Sequence, residues 1–278
     1  MARQRSFTSY VADRFYNELF AAINDYAEIN ADSLNLRLYQ VNKIGGIELT
    51  DITVKFVSVN DLPGSEIEFE VAIEAEFNVR EADYHYDNDE FTSQWFMLKC
   101  KGDLGCGLDD FQITAIAIYN GKNRQPKPMS DALVPLISKD NLEAVATDFL
   151  RRNYPKALLQ PMAIDPSELA KSIGLTVKLK RITEDCSIFG QIFFQDSVTE
   201  IYDEKTCKNV EEEVSAKTIL VDPETYFLYN LGKVNNTILH ECVHWDQHRK
   251  AFELERLYNK DASRIKCQTV GGVEGNSW

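Results

Sequence analysis

Between residues 66 and 79 the apolar side chains Ile67, Phe69, Val71, Ile73, Ala75, Phe77 and Val79 alternate with Glu66, Glu68, Glu70, Glu74 and Glu76. A strict period of two puts one set on each face of an extended chain, whereas a helix would scatter both sets around its axis. The stretch therefore predicts a half-buried strand with one apolar and one acidic face, and a strand of that kind belongs in a sheet whose other face is in water. The acid row reads first as that solvated face. Attraction for a basic partner is the sharper alternative.

The flanking sequence supplies partners. Residues 52–59, 91–101 and 111–119 have strand character, and turn-rich stretches such as Asp61-Leu62-Pro63-Gly64 and Gly102-Asp103-Leu104-Gly105 separate them. Short connections favour an antiparallel meander. Ahead of it, Val11, Phe15, Leu19, Ala22 and Tyr26 keep helical spacing over residues 6–26, with Ser6 as cap, so one helix is expected on one face of the sheet. His85 sits in a polar turn and reads as a surface residue. The polar, proline-containing segment Gly121-Lys122-Asn123-Arg124-Gln125-Pro126-Lys127-Pro128 opens a linker. The expected division is an α+β accessory or recognition domain over 1–120, a linker over 121–138 and a second domain over 139–278.

In the second domain Leu142, Val145, Ala146, Phe149 and Leu150 mark a helix that Tyr154-Pro155 ends. Asp165 caps a short helix with Pro166 in its first position, and Gly174 stops it. Residues 175–179, 187–194, 198–202 and 217–221 read as strands, and 224–231 as a short helix.

The chemistry concentrates in the next segment. His240-Glu241-Cys242-Val243-His244 fits H-E-x-x-H, and three of the four histidines (His240, His244, His248) fall in this segment. Histidines four apart on a helix share a face and reach one metal ion, most often zinc, while the glutamate beside the first is placed as a general base. Val234, Ile238 and Cys242, with Leu239 and Val243 beside them, give the helix an apolar stripe, so the histidines lie at the edge of a core. The bland reading is a solvent-facing helix whose histidines do nothing. His248, one turn further, reads as a solvated or partner-satisfied histidine before a site-lining one. Cys242 reads as a small core residue.

Composition narrows the classes. A net charge of −14 at pH 7 disfavours direct contact with nucleic acid, because neutralising phosphates needs clustered Lys and Arg. The N-terminal residues lack the apolar run of a signal peptide and no stretch is long enough to span a bilayer, so no membrane attachment is expected. The six cysteines form no C-x-x-C pair, which suits reduced thiols in a cytoplasmic protein.

The second domain, over roughly 139–278, resembles the ImmA/IrrE-type metallopeptidases. The resemblance rests on Ile164-Asp165-Pro166-Ser167-Glu168-Leu169-Ala170-Lys171-Ser172-Ile173-Gly174-Leu175, a helix-to-strand segment followed by strands and then the H-E-x-x-H helix with a further histidine, His248. It implies a small zincin-like domain with His240 and His244 as zinc ligands and Glu241 as general base. It also implies limited endoproteolysis of a regulatory protein, a helix-turn-helix repressor in many such systems. One strand of such a domain usually leaves an open edge for an extended peptide. Gly190-Gln191-Ile192-Phe193-Phe194 is the candidate, and a buried core strand fits the same residues. The chain departs from the resemblance after His244, where the family's E-x-x-A-N-x-[FL]-A segment, source of the third ligand, is missing. Glu253, Glu255 and Glu274 are the nearby acids, and the third ligand stays open, as does its position beyond residue 278. The competing readings are a non-catalytic protein-binding module with an incomplete metal site, and a hydrolase acting on a small molecule. Tyr226, Tyr229 and Tyr258 are candidates for oxyanion stabilisation that spacing cannot separate.

Overall fold

The computed structural model describes residues 6–34, 36–82, 88–121 and 129–259, together with a strand at 267–270. Its contacts divide the chain into two compact units, Met1–Leu136 with Glu253–Tyr258, and Ile137–Phe252 with Asn259–Trp278. Helix and largely antiparallel sheet occur in both, an α+β organisation. No helix among the described residues is long and apolar enough to cross a membrane.

In the first unit the hydroxyl of Ser6 accepts from the Ser9 amide at 3.1 Å and caps α1, Phe7–Arg14. The predicted single helix is in fact two, because Phe15 leaves the helical region (φ −113, ψ 18) before α2, Tyr16–Ile29. The spacing explains the break. Phe7, Val11, Phe15, Leu19, Ile23 and Ala27 are all buried and recur every fourth residue, whereas a straight helix repeats every 3.6, so their stripe would wind off the sheet. The bend at Phe15, whose ring stacks on Phe111 at 4.0 Å, brings it back.

Four strands follow, β1 (Ile44–Asn60), β2 (Glu66–Glu81), β3 (Asp89–Asp103) and β4 (Gln112–Ile118), in the antiparallel order β1-β2-β3-β4. The alternation along β2 is obeyed: Ile67, Phe69, Val71, Ile73, Ala75, Phe77 and Val79 are buried in one core with the helices. Lysines answer the acid row. Glu68 lies opposite Lys101 and Glu70 opposite Lys99, and Glu74 pairs with Lys55 at 2.5 Å. Cross-strand charge pairing of this kind belongs to a solvated sheet face. Residues 122–128 and His85 lie outside the described residues, but Met129 and Leu133 are buried in the core of the first unit.

In the second unit α3 (Leu142–Asn153) precedes α4 (Pro166–Ser172), where Asp165 Oδ1 accepts from the amides of Ser167 and Glu168 at 2.9 and 3.1 Å. Gly174, at φ +78, takes the left-handed turn that ends it. Then come β5 (Thr176–Leu179), β6 (Ile188–Phe193), β7 (Ser197–Asp203), β8 (Lys208–Val214), β9 (Thr218–Val221), α5 (Glu224–Leu228), α6 (Leu231–Tyr258) and β10 (Cys267–Val270). The sheet order is β10-β6-β9-β5, with β5 parallel to β9 and β6 antiparallel to both neighbours; β7 and β8 form a separate hairpin. Strand β8 was not expected, because Glu211-Glu212-Glu213 masks any alternation.

Candidate functional site

Helix α6 carries all three predicted site residues. Thr237, Ile238, Glu241, Cys242 and Trp245 form its buried face, and Val243 on the far side is 47 % exposed. His240, His244 and His248 fall between these extremes, at the rim of the core. Cys242 is a core residue, packed with Ile192, Val221 and Ile238. Trp245 stacks on Phe194 at 5.2 Å, which fixes the rotation of the helix beneath the sheet.

The two histidines converge. His240 Nε2 and His244 Nε2 are 2.8 Å apart, with ring planes at 88°, so one ring donates to the other and both point at one place. Burial holds both below the usual histidine range. For His240 the Lys233 ammonium adds to burial; for His244 the neighbouring His240 and His248 add to it, and its pKa falls to about 4. Two neutral imidazoles that share a focus are a donor pair suited to zinc, which binds the deprotonated ring nitrogen. His248 is tilted alongside His244 at 5.1 Å between ring centroids and is likewise lowered by burial.

Glu241 is fully buried. Its side chain lies beneath β6, where a residue that sequence reasoning gave no role decides the geometry. A Cβ built on Gly190 would stand 2.5 Å from Thr237 Cγ2 and 3.5 Å from Glu241 Cγ. Only glycine lets the strand approach α6 this closely at the first turn of the motif. Glycine inside an apolar strand was the available signal. Thr237 itself donates from Oγ1 to the Lys233 carbonyl at 3.0 Å and so turns its methyl towards the strand.

Strand β6 is not an open edge. It pairs with β9 on one side and with β10 on the other, Thr269 standing opposite Gly190, and residues 189–194 are all buried. The expectation of a free edge at Gly190-Gln191-Ile192-Phe193-Phe194 is thus corrected: the core-strand alternative holds. Among the described residues no group of three His, Cys, Asp or Glu side chains is placed to hold a metal ion. Glu274 lies outside the described residues. Glu253 pairs with Arg256 at 3.0 Å within the first unit, and Tyr258 donates to the Ser6 carbonyl at 2.7 Å. Tyr229 packs edge-on against Phe189 at 5.2 Å, and Tyr226 against Phe227 at 5.4 Å.

No family, curated protein or solved structure matches the chain.

Proposed function

We propose that the second unit is a zincin-like zinc endopeptidase, acting on peptide bonds of a regulatory protein of the helix-turn-helix repressor class. The observation that supports it is the shared focus of His240 and His244, two imidazoles neutral at pH 7, on the same helix turn as Glu241. Zinc at that focus would supply Lewis acidity and bring the acidity of a water near neutrality. In this reading His240 and His244 would hold the ion through Nε2, with the third ligand left open. The carboxylate of Glu241 takes the proton and later returns it to the leaving amine. The β6 backbone at Gly190 sets the depth of that carboxylate. The N-terminal unit serves recognition or regulation.

A second reading is a protein-binding module that grips its partner without cutting it. The complete burial of Glu241 favours it, because a general base has to reach its water. Glu241→Gln separates the two, since it keeps shape and removes the base. In the endopeptidase the substitution lowers turnover of a cleavable partner by about a hundredfold or more with metal content unchanged. Turnover equal to that of the parent chain contradicts the reading.

A further inference from the structure

Successive side chains of β6 serve opposite faces of the sheet. Gly190 and Ile192 meet α6, while Phe193 packs on the other side with Ile182, Ile201 and Val214. On that second side a cleft of about 620 Å³ opens between β6 and the β7–β8 hairpin. Its apolar lining comes from Ile182, Ile188 and Val198, and its acids are Glu184, Glu200 and Glu211. Gln191 forms part of the wall. None of the motif histidines lines it, so it is separate from the candidate metal centre.

Two features of this cleft cost stability without an internal return. Gln191 is 1 % exposed, and its Nε2 has no hydrogen-bond partner, although a buried donor left unsatisfied is costly. Glu200 and Glu211 stand directly opposite each other in the β7–β8 register, and like charges so placed repel. The neighbouring cations serve other acids: Lys180 pairs with Glu212, and Arg181 with Glu204 and Glu224. The cleft therefore presents a buried donor without an acceptor, a facing pair of exposed acids and an apolar strip between them.

We propose that this cleft binds an arginine side chain carried on a peptide. The guanidinium lies between Glu200 and Glu211, whose cross-strand separation suits a planar fork of donors. The aliphatic stem covers Ile188 and Val198, and Gln191, whose Nε2 is buried in the unliganded chain, turns its amide to donate to the peptide carbonyl. The site provides a contact for a basic segment of a protein partner, and it is independent of whether α6 binds metal.

The test is calorimetric titration of the full 278-residue chain with N-acetyl-arginine amide, beside N-acetyl-citrulline amide and N-acetyl-lysine amide. The arginine probe should bind at least about tenfold more tightly than the citrulline probe, which keeps the shape and loses the charge. Glu200→Gln with Glu211→Gln, both at exposed positions, should lower its affinity by about tenfold or more. Gln191→Met should lower it several-fold for all three probes, and the double glutamine variant reads the site independently should Gln191→Met fail to fold. Absence of binding at about 10 mM probe, equal affinity for citrulline, or indifference to the paired substitution would overturn the proposal. Tighter binding of the lysine probe would overturn the assignment to arginine.

Discussion

Strands β2 and β6 each lie inside a sheet, yet they carry information differently. Along β2 one face is core and the other, buried Ala72 apart, carries the acids that meet water, so apolar and acidic residues alternate and the pattern states the environment. Both faces of β6 are covered, and every residue from Phe189 to Phe193 is buried. There a glycine answers to the helix on one side and a glutamine to the cleft on the other. A strand with one wet face announces its fold; a strand with none can hold the residues that position a site.

Substitution sharpens that contrast. The largest loss should follow Phe69→Ala, which removes a fully buried ring set edge-on to Phe7 at 5.1 Å and should cost about 3–5 kcal/mol in denaturant unfolding of the first unit. On the opposite face of the same strand Glu68→Gln should stay within about 0.5 kcal/mol. Equal effects at the two positions would remove the distinction between the faces. Next comes Gly190→Ala, where the added methyl meets Thr237 at 2.5 Å and overpacks the contact, at about 1–3 kcal/mol. It should also weaken metal binding by moving α6, which a purely structural glycine elsewhere in the sheet would not do.

A smaller effect comes from pH. His244 titrates in the folded chain at about 4, below its ordinary value of 6.5, so between those values the unfolded chain binds more protons. In the metal-free protein this contribution is fully present above pH 6.5 and is lost as pH falls towards 4. It is worth on the order of 1–2 kcal/mol once partial exposure is discounted. His244→Phe should flatten that part of the stability profile; an unchanged slope would locate the titration elsewhere.

These differences also explain what could be read in advance. The β2 alternation, the Asp165-Pro166 cap and the spacing of His240 and His244 are local signals, and each marks an element that the structure contains. The bend at Phe15 was missed because a period of four and a period of 3.6 agree over two turns and diverge only over six. The pairing of β10 against β6 escaped because backbone hydrogen bonds between distant segments leave little trace in side-chain pattern. The cleft escaped for the same reason: Gln191, Glu200 and Glu211 come together only through the register of β7 and β8. Glu241 was identified by its motif, but its burial depends on Gly190, far away in sequence.

The shared focus of His240 and His244 is the centre of this account, and zinc content per chain tests it most directly. Protein purified without added metal should carry about one zinc per chain, retained in His248→Ala and lost in His244→Ala with the fold intact by circular dichroism. Zinc that survives His244→Ala, or none in the parent chain after incubation with zinc, would contradict it.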